Sequence, residues 1–261
     1  MKTRLNGLKL FFVIPILCVH SIFTSAVIAA PLPSVEAILS LKANIKNGKD
    51  VFTTCSFCHS PQGWGTPDGY YPQLSGQLPG VLAKQLVDIQ SGNRDVPTMI
   101  PFSNAIFYRG KQDVADLIAY ISSLPMSPEN GVGLGDSLAL GEKLYKKDCQ
   151  HCHAEKAQGN GDKYYPLLQG QHYPYLLRQM QWIKNGQRKN GDEDMVKTLA
   201  SYSNRDMQAV ADYISRIKPP VKKLAKSSDW RNPDFDANFV SAPWLRHQKL
   251  PHEQRLHKKI R

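Results

Sequence analysis

The chain has 261 residues, 41% of them apolar, and a formal charge of +11 at pH 7. That length admits two small domains, and after the N-terminal segment no stretch approaches the roughly 20 apolar residues that a membrane span needs. The charge is uneven: residues 31–220 are close to neutral, whereas residues 221–261 hold ten Lys/Arg against four Asp/Glu.

The N-terminus reads as a secretory signal peptide. Lys2, Arg4 and Lys9 make a basic start, residues 10–19 are apolar, and small residues follow at Ala26, Ala29 and Ala30. Cleavage is expected after Ala29, since cutting after Ala30 would leave Pro31 first. Lys9 and His20 bracket a run too short for an uncleaved anchor. Cys18 lies inside this segment and has Leu17 before it, not the small residue of a lipoprotein site. An exported protein is expected to have no nucleic-acid partner. Four cysteines remain, Cys55, Cys58, Cys149 and Cys152. Two disulfides would be the default, but His59 and His153 directly follow the two pairs.

A repeat organises the rest of the chain. Cys55, Cys58 and His59 recur 94 positions on as Cys149, Cys152 and His153. At the same offset Tyr70, Tyr71, Pro72, Leu74, Gly76 and Gln77 recur as Tyr164, Tyr165, Pro166, Leu168, Gly170 and Gln171, and Gln85, Gly92 and Arg94 as Gln179, Gly186 and Arg188. Further on the offset slips by one, so that Asp113, Tyr120 and Ile121 match Asp206, Tyr213 and Ile214. Within each copy the apolar spacing predicts helices. One leads into the first cysteine (35–54 and 138–148), a second follows the Gly-Gln pair (78–91 and 173–185), and a last amphipathic one ends before Pro125 or Pro219. Val114, Leu117, Ile118 and Ile121 share a face of that last helix. Residues 126–135, rich in Pro and Gly, read as a linker. Each copy is too small to bury much apolar surface unaided and needs a large apolar object to fold around.

Two cysteines three positions apart followed by histidine form the attachment signature of a c-type haem, with the histidine as an iron ligand. A redox dithiol does not require that histidine, and a zinc site would have to be assembled from both copies. Two covalent haem c groups are therefore expected, on Cys55, Cys58, Cys149 and Cys152, with His59 and His153 on the irons. Met99 and Met195, both between the second and last helices, are the candidates for the opposite axial position, where a thioether raises the potential. Met126 follows the last helix, and Met180 and Met207 fall within helices. His172 is the alternative ligand in the second copy, but its counterpart is Leu78. Pro72 and Pro166 fix the local backbone, and their carbonyls are candidate acceptors for the second ring nitrogen of each histidine. Gly63, Gly65 and Gly159 are read as letting the backbone pass close to the porphyrin.

On these residues the chain resembles the class I cytochromes c and, in its duplication, the di-haem cytochrome c4 type, over about residues 34–218. The resemblance implies an all-α fold: cytochrome c domains at 34–125 and 136–218, joined by the 126–135 linker and followed by a basic extension, 219–261. It implies axial pairs His59/Met99 and His153/Met195. It also implies an electron carrier in the bacterial periplasm, between a quinol-oxidising complex or dehydrogenase and a terminal oxidase. With both axial positions filled, neither iron offers a substrate site, so no catalytic residue and no small-molecule substrate are expected. The competing functions are a cytochrome subunit of a dehydrogenase complex, or a di-haem oxidoreductase or peroxidase if one methionine is not a ligand. Domains of this type place glycine and an aromatic residue eight and four positions before the first cysteine. Gly141 and Tyr145 comply; the first copy has Asn47 and Val51 there, with Gly48 and Phe52 one place along, so a different helix packing is expected in that domain. The extension carries Trp230, Phe235, Phe239 and Trp244 among its basic residues. It is read either as a solvated, partly disordered tail or as a docking arm for an acidic redox partner or an anionic membrane surface.

Overall fold

Helix α1 (Val35–Leu39) begins at Ser34, whose hydroxyl accepts the Ala37 N–H at 3.1 Å. The computed structural model describes residues 32–236 and residue 239; the expected signal peptide, Cys18 and Trp244 lie outside the described residues. Asn44 starts a separate helix α2 (Ile45–His59) by accepting the N–H groups of Lys46 and Asn47, so the single helix expected over 35–54 is broken at a cap. The first repeat continues with α3 (Pro79–Gln90), α4 (Ile100–Arg109) and α5 (Lys111–Ser123). The second contains α6 (Leu138–Leu144), a π-helical turn (Tyr145–Cys149), α7 (Gln150–His153), α8 (Tyr173–Lys184), α9 (Glu193–Ala200) and α10 (Asn204–Arg216). The fold is all-α, and among the described residues no helix is long and apolar enough to cross a membrane.

Helices α4 and α9 were not anticipated. Pro101 reads as a breaker, yet it sits in the first turn of α4, where a missing N–H costs nothing. Helix α9 has only eight residues, and its start is set by Asp192, which accepts the N–H groups of Asp194 and Met195.

The haem-motif helix crosses the last helix of its domain in the same way in both copies, contrary to the expected difference. A Cβ on Gly48 would overlap the Asp116 carbonyl, and one on Gly141 the Ala209 carbonyl. Phe52 then packs on Tyr120 at 5.4 Å between ring centroids, and Tyr145 on Tyr213 at 5.7 Å. These four pairs of positions are all 93 apart, whereas the cysteines are 94 apart. The π-helical turn between Tyr145 and Cys149 absorbs the one extra residue of the second copy, which is what such turns do within α-helices. Asn47 serves the crossing rather than disturbing it: its amide donates to Asp113 at 2.8 Å and Asp116 at 2.7 Å.

Residues 126–135 are built into the structure. Met126 is 1% exposed, the Ser127 N–H donates to Gln73 Oε1, and Asp212 accepts the N–H groups of Gly133 and Gly135. A free spacer would leave these groups to water.

The extension up to Asp236 is also packed, which corrects the reading of a solvated tail for this part. After a 3-10 turn (Val221–Lys223) the chain brackets Met126: the Met126 N–H donates to Lys223 O and the Ala225 N–H to Met126 O, both at 2.8 Å. Trp230 lies on Trp64, Phe235 meets Phe52 edge-on, and Phe239 contacts Phe57. Asn232, 3% exposed, donates to Pro61 O and to the Tyr120 hydroxyl, which itself donates to Asp234. The first copy offers these aromatics Phe57, Pro61 and Trp64; the matching residues of the second are the exposed His151, Glu155 and Gln158. Among the described residues, the aromatics of the tail thus have their apolar seat on the first domain.

Candidate haem sites

Each Cys-x-x-Cys-His motif closes a helix. His59 is the last residue of α2 and His153 the last of α7. Both rings are buried, and each donates Nδ1–H to a proline carbonyl, His59 to Pro72 at 3.0 Å and His153 to Pro166 at 3.1 Å. The carbonyls expected from sequence are therefore the acceptors, and Nε2 is the nitrogen left to bind a metal. The same loops explain two glycines. Gly65 (φ +66) and Gly159 (φ +70) donate to the histidine carbonyls, and a Cβ on either would collide with the Tyr71–Pro72 or Tyr165–Pro166 backbone. They let one side of the loop pass against the other. Tyr71 and Tyr165 pack near the two imidazoles, at 5.9 and 6.4 Å between ring centroids.

Burial holds the histidines neutral, His59 down to about 4 and His153 below its ordinary value, the form a metal needs. It pushes the Cys55 and Cys149 thiols up to about 12. A redox dithiol works through a lowered thiol pKa, and these two thiols are shifted the other way. The four cysteines are free of disulfides. Among the described residues no three His, Cys, Asp or Glu side chains gather as a metal cluster, which removes the zinc site shared between copies.

A cavity of about 520 Å³ is lined by Cys149, Cys152, His153, Tyr165, Pro166 and Met195 of the second domain, and reaches Lys84, Gln85 and Asp88 of the first. Its size and mixed lining suit a cofactor, and its donors, two thiols and an imidazole with its other nitrogen already engaged, fit a covalently attached haem. Met195 is in the first turn of α9 and half-buried; Met99, also half-buried, is the cap residue of α4. Each methionine thus starts the short helix that sequence reasoning missed. His172 is not available as a ligand. Its Nδ1 accepts the Gly131 N–H at 3.0 Å and its Nε2 donates to Trp64 O at 2.7 Å.

A family model described as Cytochrome c matches the chain twice, at residues 45–125 and 138–218. The chain belongs to the cytochrome c family. A cytochrome c4 of Pseudomonas aeruginosa is 32% identical over 178 residues, covering 65% of this chain and 87% of that one. A protein named thiosulfate dehydrogenase electron acceptor, from Stutzerimonas stutzeri, is 29% identical over 207 residues, covering 72% of this chain and 94% of that one. The solved structure of reduced recombinant cytochrome c4 from Pseudomonas stutzeri aligns with a TM-score of 0.59 at 30% identity, over 67% of this chain and 100% of that one. With a paired-cysteine motif in each of its two domains, this cytochrome carries two covalently bound haem c groups and is a di-haem electron-transfer protein whose partners are redox proteins.

The two domains of the cytochrome meet through reciprocal polar contacts. Gln171 Oε1 accepts the Gln73 N–H and its Nε2 donates to Gln73 O, at 3.0 and 2.9 Å. Gln77 makes the mirror pair with Leu167, at 3.0 and 2.9 Å. Nearby Arg94 donates to Gln85 and Gln179, and Arg188 to Gln179 and Gln85. Burial brings the Arg188 guanidinium down to about 10. Gln77, Gln171 and both arginines are repeated in the sequence, but nothing in their spacing says that each reaches the other domain.

Proposed function

We propose that this cytochrome is a periplasmic electron carrier, exported by its first 29 residues, in which His59/Met99 and His153/Met195 are the axial pairs. The observation that carries this reading is the cavity that Met195 lines together with Cys149, Cys152 and a His153 held by Pro166. A bound haem supplies a one-electron couple. The chain's residues orient the histidine, hold it neutral and line the pocket, and a methionine thioether that bound the iron would leave no open position for a substrate. That is a carrier's site rather than a peroxidase's. The donor is a quinol-oxidising complex or a dehydrogenase, and the acceptor a terminal oxidase. The relative named as an electron acceptor of thiosulfate dehydrogenase supports a dehydrogenase as donor, with this cytochrome as its soluble acceptor or its cytochrome subunit. Residues 240–261, outside the described residues, hold six Lys/Arg and one Glu. That charge favours an acidic partner or an anionic membrane surface.

Absorption spectroscopy tests the ligands. The purified protein is expected to be low-spin in both redox states, with a methionine–iron charge-transfer band that Met99→Ala and Met195→Ala each reduce by about half. A wild-type high-spin haem that binds cyanide would sink the carrier reading. The mass of the periplasmic protein should place Ala30 first.

A further inference from the structure

The acceptor of each histidine is half of a peptide group whose other half faces the opposite domain. Pro72 O receives His59 Nδ1–H, and the N–H of the same peptide unit, on Gln73, donates to Gln171 Oε1. In the second domain Pro166 O receives His153 Nδ1–H, and the N–H of that unit, on Leu167, donates to Gln77 Oε1. The arrangement therefore occurs twice, once in each direction. Both glutamines are pinned: each Oε1 also accepts the N–H of the residue that follows it, Leu78 or His172, at 3.0 Å. Gln171 is 7% exposed and Gln73 4%, so water does not compete for the first link.

We propose that Gln171 and Gln77 are positioning residues that tune the iron histidine of the other domain, Gln171 acting on His59 and Gln77 on His153. A peptide N–H that donates a hydrogen bond makes its own carbonyl a better acceptor, because linked hydrogen bonds polarise one another. A better acceptor draws the Nδ1 proton and makes the imidazole more basic toward iron. A more basic ligand favours the ferric state, so each glutamine lowers the reduction potential of the domain across the interface. The two domains are thus wired crosswise through single peptide groups, and a disturbance of one glutamine is read at the other domain's iron.

The inference rests on His59 and His153 being iron ligands, and its test is separable from that reading. The test is an NMR-monitored redox titration of the holoprotein, with each domain followed by the Nδ1–H resonance of its own histidine in the reduced state. Gln171→Leu is expected to raise the potential of the first domain and move the His59 Nδ1–H resonance upfield, leaving His153 nearly in place; Gln77→Leu does the reverse. Gln171→Glu, which keeps an acceptor oxygen, produces no rise. Simple loosening of the interface would admit water and lower the potentials instead. A fall, an equal shift in both domains, or a shift confined to the glutamine's own domain would overturn the proposal. Should Gln171→Leu fail to fold, the Gln77→Leu and Gln171→Glu proteins still decide it. Haem content and the methionine band, measured on the same samples, separate failure here from failure of the axial assignment.

Discussion

His172 has both ring nitrogens hydrogen-bonded, and its surroundings make it a pH-sensitive joint between the domains. Burial holds its pKa below the ordinary value, and its neutral ring bridges Gly131 and Trp64. An unfolded chain takes up a proton at this residue near pH 6.5, and the native one resists it. The stabilisation is therefore complete above about pH 6.5 and is lost as pH falls toward the depressed native value. Replacing His172 with glutamine, which does not titrate, should flatten the thermal midpoint between about pH 7.5 and 5 relative to the parent. Replacing it with alanine should cost about 1–3 kcal/mol at neutral pH, by orphaning buried groups. Thermal unfolding of the three proteins checks both statements. The cysteines and histidines of the two haem motifs were legible because covalent attachment is written in five consecutive residues. His172 was not, since Trp64 lies 108 positions away, and its rank as a second-choice ligand came from residue type alone.

At the scale of elements, the two copies hold two registers. The crossing register, Gly48 with Phe52 or Gly141 with Tyr145, is fixed by backbone contact with the last helix. The motif register is fixed by the loop that meets the histidine, and the π-helical turn reconciles the two in the second copy. Gly48→Ala should cost about 3 kcal/mol, because neither helix backbone can yield; chemical denaturation of the haem-loaded protein measures it. Helices α3, α5, α8 and α10 were visible in their apolar period, to within a few residues of their ends, whereas the one expected over 35–54 is split into α1 and α2. The π-helical turn showed only as a one-place offset, and sequence reasoning assigned the anomaly to the wrong copy. Helices α4 and α9 lack the length that makes a period readable.

For the whole molecule, the segments that read as spacer and tail act as structure. Residues 126–135 give their backbone groups to both domains, and residues 221–236 bind the first domain through Phe235, Asn232 and Trp230. Ending the chain after Pro220 should destabilise the first domain by about 3 kcal/mol, from one large apolar side chain and its buried hydrogen bonds. Amide exchange should quicken in α2 and α5 and stay as it was in α8 and α10. Composition marked these segments as loop; what orders the first is Gln73, His172 and Asp212, and the second the apolar row Phe57, Pro61 and Trp64, all distant in sequence.

The mirror-image glutamine contacts are self-complementary, as in an isologous two-fold dimer, where the same patch serves on both sides. Amide and guanidinium contacts of this kind would by themselves hold two separate chains together only weakly. Joined by ten residues, the domains meet at a local concentration that short tethers raise to about the millimolar range. The covalent link therefore lets a weak, polar and directional junction persist at any dilution, and leaves its hydrogen bonds free to be shaped for communication instead of adhesion.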